Sequence, residues 1–531
     1  MNRVRPLSSL TPPRVVVIGA GMGGLAAAAL LARQGVEVQL LERADAPGGK
    51  MRPVELGALR LDGGPTVLTM RWVFEALFDR LGTSLDQHVH LHRSEVLARH
   101  AWSADERLDL HADLDQSIEA IAAFSSRAEA TRYRAFCQRA AQVFATLDPA
   151  FIRASRPSPV SLTWRVLRQQ GLAGLHQLMR IAPFTSLWRE LGRFFRDPRL
   201  HQLFGRYATY CGTSPFEAPA TLMLVAHVER EAVWQVEGGM ARLAQALAHC
   251  GQQHGVRLRC RAEVQRLLVS DGRISGVQLA DGERLAADAV IFNGDARALT
   301  EGLMGPDAPQ GLAHGSPSLS ALTWHAEATT SGFDLSHHNV FFGPATGYRA
   351  EFDAIAAGRL PESPTVYVCA QDRSGQAHRL RPGLPAGQRR PERLMCLVNA
   401  PADASGRGLT AEEIARCEQQ MWGRLREAGL QVSVSSPALV TRPQDFAQRF
   451  PASQGALYGP ASRGWRASFQ ARPDGRTTLP GLFLAGGSVH PGPGVPMAAL
   501  SGQLAADQLL EDLASTRSFH PAVMPGGMSM R

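Results

Sequence analysis

The stretch VVVIGAGMGGLAAAALLARQGVEVQLLE (Val15–Glu42) decides how this chain is read. An apolar run, Val15–Ile18, leads directly into G-x-G-x-x-G at Gly19, Gly21 and Gly24. An alanine- and leucine-rich helical segment follows, then a second apolar run (Val36–Leu41) and the acid Glu42. Gly19 permits the tight turn after the strand. Gly21 lets a pyrophosphate approach the backbone, and Gly24 lets helix and strand pack closely. Free N–H groups and the helix dipole favour an anion at the helix start. Glu42 is placed to accept hydrogen bonds from a ribose 2′-hydroxyl, and a carboxylate there disfavours a 2′-phosphate. This order predicts an adenine-dinucleotide site built on Gly19, Ala20, Gly21, Gly24 and Glu42.

The chain has 531 residues, 44% of them hydrophobic and 20% charged, which exceeds one ordinary core and predicts two or three globular domains. Cys137, Cys211, Cys250, Cys260, Cys369, Cys396 and Cys417 show no C-x-x-C pair and no metal-ligand spacing, so reduced thiols and no metal site are expected. The start, MNRVRPLSSLTPPR, lacks the apolar core of a secretory signal. Val15–Leu31 is apolar enough to resemble a membrane span, but its glycines carry the dinucleotide pattern, and no other run is long and uncharged enough to cross a bilayer. The net charge is +8, carried mostly by arginines dispersed among Leu, Trp and Phe. That dispersion argues against nucleic acid and for an anionic membrane surface.

Phe151–Phe204 concentrates this pattern. Arginines alternate with Trp164, Leu167, Leu175, Met179, Trp188, Leu191, Phe194 and Phe195, against only the acids Glu190 and Asp197, with a break at Pro183. Basic amphipathic helices with aromatics suit the lipid headgroup zone. Further on, Val264 opens a run of hairpin strands punctuated by Asp271-Gly272 and Asp281-Gly282. Strands are expected at Ala289–Phe292, Asn339–Phe342, Thr365–Ala370, Leu394–Val398 and Leu482–Ala485, and helices at Ala411–Glu427 and Met497–Asp512.

The chain therefore divides, on expectation, into a first nucleotide-binding segment (1–75), a helical, membrane-facing substrate region (76–228) and a second nucleotide-binding segment (229–300). The sheet part of a substrate domain (301–429), a C-terminal nucleotide-binding segment (430–513) and a disordered tail (514–531) follow. The fold class is α/β, a Rossmann-like domain carrying an inserted α+β substrate domain.

Several features favour FAD over a nicotinamide. Glu42-Arg43 is followed by Gly48-Gly49-Lys50-Met51-Arg52, glycines and cations suited to a pyrophosphate. Then comes LDGGPT (Leu61–Thr66), with Gly64 and Pro65. A second strand-to-glycine junction, Leu484-Ala485-Gly486-Gly487, lies near the far end of the chain. An extended cofactor explains why both ends of the chain would converge on one ligand.

Together these motifs resemble the carotenoid desaturase family, in the flavoprotein superfamily of amine oxidases and protoporphyrinogen oxidases. YCGTSPFEAPA (Tyr210–Ala220), WQVEGG (Trp234–Gly239) and VIFNGD (Val290–Asp295) resemble further family segments, so the likeness spans about residues 14 to 513. Within the family, LSHHNVFF (Leu335–Phe342), PTVYVCAQDR (Pro364–Arg373) and RFPASQGALYG (Arg449–Gly459) look most like the 1-hydroxycarotenoid 3,4-desaturases (methoxyneurosporene dehydrogenases). The resemblance implies that Gly19, Gly21, Gly24 and Glu42 hold the ADP half of FAD, with Arg43 and Gly49 beside it. It places Lys50 near the pyrophosphate or flavin, Val264 against the adenine, and Gly486, Gly487 and the segment to Val495 along the ribityl chain and flavin. Lys50 stands where many members have Arg, which removes a bidentate phosphate contact. No cysteine lies in the C-terminal glycine loop, so the FAD is expected to be non-covalent.

The implied reaction removes two hydrogens beside a polyene of an acyclic carotenoid. His490 is the candidate polar residue at the flavin, with an imidazole able to titrate near neutrality. His337 and His338 are candidates to meet a substrate hydroxyl, and Tyr207 and Tyr210 to line its tunnel. A C40 hydrocarbon would be drawn from the bilayer, so peripheral attachment on the cytoplasmic side of an inner or photosynthetic membrane is expected, with oxygen or a quinone as electron acceptor. The competing readings are a phytoene or neurosporene desaturase, a carotene isomerase, an amine- or protoporphyrinogen-type oxidase, and a non-catalytic FAD-binding scaffold.

Overall fold

A computed structural model describes residues 12–155, 159–180, 185–312, 315–373, 391–464 and 472–518. The opening stretch forms β1 (Arg14–Ile18), α1 (Met22–Arg33) and β2 (Glu37–Leu41). β3 (Arg257–Arg259), β4 (Ala289–Phe292) and β5 (Leu482–Leu484) complete a parallel sheet in the order β5-β4-β1-β2-β3. Val16 pairs with Val290 and with Gln39, so strands hundreds of residues apart share one register. Parallel strands covered on both faces read as unbroken apolar runs, which is why β1 and β4 stood out in the sequence. α1 is buried from Met22 to Ala32. It packs against the helices Ala241–Gln253 and Val495–Ser518, so its all-round apolarity serves a core position and not a membrane. Among the described residues no helix is long and apolar enough to cross a membrane.

Beside this sheet stands a three-stranded antiparallel sheet, Val264–Ser270, Arg273–Leu279 and Arg284–Ala286, whose first turn is the Asp271-Gly272 pair. An eight-stranded, mostly antiparallel sheet forms the other half of the molecule. Its longest strand, Ser320–Gly332, escapes a periodicity reading because Thr323, His325 and Thr330 are buried beside its apolar residues.

Two expected boundaries move. Segment 76–228 is not purely helical, because Val96–Ala101 and Arg107–His111 form the edge of the large sheet, with Val96–Ala101 parallel to His338–Phe341. That sheet also runs past 429, since Leu430–Val434 and Leu439–Thr441 pair with Ser320–Gly332. Helices fill most of 114–231 and bury Phe136, Leu191, Phe204 and Tyr207 against one face of the sheet. Of the expected tail, residues 514–518 continue the last helix, and the remainder, like Pro183, lies outside the described residues.

Candidate functional site

A cavity of about 1050 Å³ begins at the glycine turn after β1 and continues between the helices and the large sheet. It lies at the upper end of the range for small-molecule sites. At the nucleotide end, α1 starts at Gly21 with no side-chain cap, leaving its first amides for a ligand. Gly24 is a packing residue behind the cavity: a Cβ there would lie 2.1 Å from the Gly19 carbonyl oxygen. Gly49 closes on the same turn, and its Cβ would stand 3.0 Å from the Gly21 Cα.

Glu42 is buried, and its two carboxylate oxygens accept from the amides of Ala20 and Ala44, each at 2.8 Å. Ala20 thus serves through its amide and does not line the cavity, whereas Gly19, Gly21, Glu42, Arg43, Gly49, Gly64, Pro65 and Val264 do. Arg43 approaches Glu263 at 3.6 Å. The Lys50 ammonium donates to the Leu457 carbonyl at 2.6 Å, and burial lowers its pKa although Asp295 opposes the shift. Lys50 and Arg52 flank the ring of Phe450 at 5.4 and 5.9 Å. Gly486, Gly487 and Val495 reach the cavity from β5 and the last helix.

Sequence reasoning did not single out Asn293 or Arg472 as site residues. Asn293 Nδ2 donates to Gly19 O at 2.9 Å, and Arg472 donates to Ser462, Tyr458 and Pro460 across the cavity wall. Burial lowers the Arg472 pKa to about 10. Asn293 was visible as the polar end of a buried strand. Nothing local in the sequence marks Arg472.

Other candidates separate. His490 lines the cavity, but its Nε2 lies 3.0 Å from Phe151 O and 2.9 Å from Ala154 O, and burial lowers its pKa to about 4. It therefore stays neutral near pH 7 and does not titrate there. Tyr210 lines the cavity. Tyr207 does not: it sits in the helical core, its hydroxyl donating to Glu229 at 2.8 Å. His337 and His338 also lie behind the wall, because Tyr367 stands in front, with its hydroxyl 2.7 Å from His338 Nδ1 and 2.7 Å from Thr66 Oγ1. Strand pairing of His338 with Cys369 gathers ligand-capable atoms of His337, His338 and Cys369 within 4.8 Å of one another, a proximity invisible to a spacing argument.

Uncapped helix amides, a buried carboxylate beside them and the cations Arg43, Lys50 and Arg52 along the cavity fit FAD, and the fold and site define a flavin-dependent oxidoreductase. The family model for flavin-containing amine oxidoreductases matches residues 22–510. A hydroxyneurosporene desaturase of Rubrivivax gelatinosus is 50% identical over 98% of this chain and 97% of its own. One from Cereibacter sphaeroides is 47% identical over 95% and 98%. Among solved structures, putrescine oxidase bound to putrescine superposes with a TM-score of 0.60 at 16% identity, over 95% of this chain and 99% of its own, a likeness of fold alone. The chain belongs to the flavin-containing amine oxidoreductases, and within them to the carotenoid desaturases.

Proposed function

We propose that this protein introduces the C-3,4 double bond into acyclic 1-hydroxy or 1-methoxy carotenoids such as 1-hydroxyneurosporene. The observation that carries the reading is near-full-length identity of 50% and 47% to two hydroxyneurosporene desaturases. The cavity supports it, since beyond the nucleotide end its wall is largely apolar, with Leu147, Ile152, Leu222, Val225, Met395 and Leu397.

Bound FAD supplies the two-electron acceptor for removing two hydrogens from a saturated C–C bond. In this reading Glu42 and the first amides of α1 take the ADP half, while Lys50, Gly486 and Gly487 face its other end. The apolar wall aligns a polyene. One hydrogen would leave with its electron pair to bound FAD and the other as a proton from the neighbouring carbon. Because the developing positive charge is delocalised along the polyene, a weak acceptor such as water suffices for that proton. His490 acts by fixing segment 151–154 to the C-terminal glycine loop. The partners are the carotenoid, an anionic membrane surface and oxygen or a quinone as final oxidant.

Attachment to the cytoplasmic face of a membrane is part of the proposal. On helix Pro159–Arg180, Leu162 and Thr163 line the cavity, while Val160, Trp164 and Leu167 are 80, 57 and 41% exposed. An apolar outer face on the helix that walls the cavity supports lipid contact there.

The test is a product assay with FAD-loaded protein in liposomes, offered 1-hydroxyneurosporene or phytoene. A loss of two mass units with a red shift from the hydroxylated carotenoid alone supports the reading. Conversion of phytoene moves the enzyme to an earlier desaturation.

A further inference from the structure

Arg206 lines the cavity among the tyrosines of the helical wall, on the short turn Arg206–Cys211. A guanidinium is always charged and carries five N–H donors. Among the described residues Arg206 uses one, Nη1, which donates to the Tyr210 hydroxyl at 3.1 Å. It forms no ion pair among those residues, although Glu229, which accepts from the Tyr207 hydroxyl, favours its positive charge from a distance. The guanidinium carbon lies over the rings of Tyr210 and Tyr367 at 5.1 and 5.6 Å. Its remaining donors open on the cavity. Tyr210 and Glu229 favour its charge, and the N–H groups that the protein leaves without a partner are available to a ligand oxygen in the cavity.

Resting on the desaturase reading above, we propose that Arg206 grips the alcohol or ether oxygen at the saturated end of the carotenoid, and so distinguishes oxygenated substrates from hydrocarbons. The chemistry requires a donor, because both a hydroxyl and a methoxy oxygen accept a hydrogen bond but only the hydroxyl can donate one. The position also fits. In a 1-hydroxy carotenoid the oxygen is three bonds from C3, so the group that holds it must sit close to the reacting bond. Arg206 reaches the flavin end through its contacts: it covers Tyr367, whose hydroxyl meets Thr66, two residues after Gly64, whose Cβ would stand 1.9 Å from the carbonyl oxygen of Lys50, a residue of that end in this reading. Fixing the oxygen then aligns C3 and C4 as well. Tyr210, bonded to Nη1, orients the guanidinium.

The experiment offers 1-hydroxyneurosporene and neurosporene in competition to FAD-loaded wild type, Arg206→Met, Arg206→Gln and Arg206→Lys in liposomes. It is read as the ratio of kcat/KM values, with flavin per chain and Tm of the substrate-free holoprotein. Wild type should prefer the oxygenated carotenoid by about 100-fold or more, since a site built to bond an oxygen rejects the analogue lacking it. Arg206→Met and Arg206→Gln should bring that preference to within about threefold. Arg206→Lys, which keeps a charged donor, should retain part of it. Flavin content should hold in all variants, and the Tm of Arg206→Lys, which keeps a positive charge near Glu229, should stay close to that of wild type. An unchanged preference in the Met and Gln variants overturns the proposal, as does loss of flavin or a lowered Tm in Arg206→Lys, which would make Arg206 a cofactor-holding or structural residue. Failure of wild type itself to convert 1-hydroxyneurosporene removes the desaturase reading, and this assignment with it.

Discussion

Asn293 Nδ2 donates to the carbonyl oxygen of Gly19 at 2.9 Å, joining the end of β4 to the nucleotide turn across 274 residues of sequence. The bond braces the loop from which the α1 amides face the cavity. Asn293→Asp replaces the donor with an acceptor, normally anionic, beside a carbonyl. It should weaken FAD binding about 10- to 100-fold, the effect of leaving a buried acceptor unpaired. Flavin absorbance per chain after dialysis measures this. Full retention would show that the turn holds its shape alone.

Gly24→Ala should cost about 3 kcal/mol or more, or prevent folding, because its Cβ would meet Gly19 O at 2.1 Å, backbone that cannot step aside. Gly423, within the helix Ala411–Glu427, is the control. A Cβ there meets nothing within 4 Å, so Gly423→Ala should gain about 0.5–1 kcal/mol. Urea unfolding of the two variants separates a packing requirement from a general sensitivity to substitution.

His490 is held neutral in the folded protein, with a pKa of about 4 against an ordinary 6.5, burial being the main cause. Its contribution to stability is present above pH 6.5 and is lost as pH falls towards 4, on the order of 3 kcal/mol over that window. His490→Gln should flatten this part of the acid response in unfolding measurements. It should also leave the pH profile of kcat/KM between about 5.5 and 8 unchanged, since no proton moves on the wild-type ring there. A lost inflection in that range would return His490 to a proton-transfer role.

Glu351 behaves in the opposite sense. Burial raises its carboxyl to about 7, although Thr365 donates to Oε2 from its hydroxyl at 2.7 Å and its amide at 3.3 Å. Its contribution is complete below 4.5 and is lost as pH rises through about 7. Glu351→Gln should therefore be more stable than wild type at pH 8 by on the order of 2–3 kcal/mol and lose that advantage near pH 5. Denaturation midpoints at the two pH values decide it.

The sequence by itself determined the nucleotide half, because its signals are local. A buried parallel strand must be apolar throughout, a close helix–strand approach must be glycine, and the acid at the end of β2 follows at fixed spacing. Gly19, Gly21, Gly24 and Glu42 could be named for that reason, and Gly486 and Gly487 because the same strand-to-glycine junction recurs at β5. The family was legible too, since the motifs lie in order along nearly the whole chain.

Only the tertiary structure decided the substrate half. His337 and His338 look like polar groups seeking a ligand, yet Tyr367 from the neighbouring strand takes the cavity face and leaves them behind it. Tyr207 and Tyr210 are three residues apart on a tight turn, but one enters the core and the other the cavity. His490 reads as a titrating loop residue, yet burial holds it neutral even though the carbonyls of Phe151 and Ala154 favour the charged ring. Arg206 carries no motif at all. Which side of a wall a side chain faces, and what it finds there, depends on strands and helices from distant parts of the chain, and no local spacing encodes that.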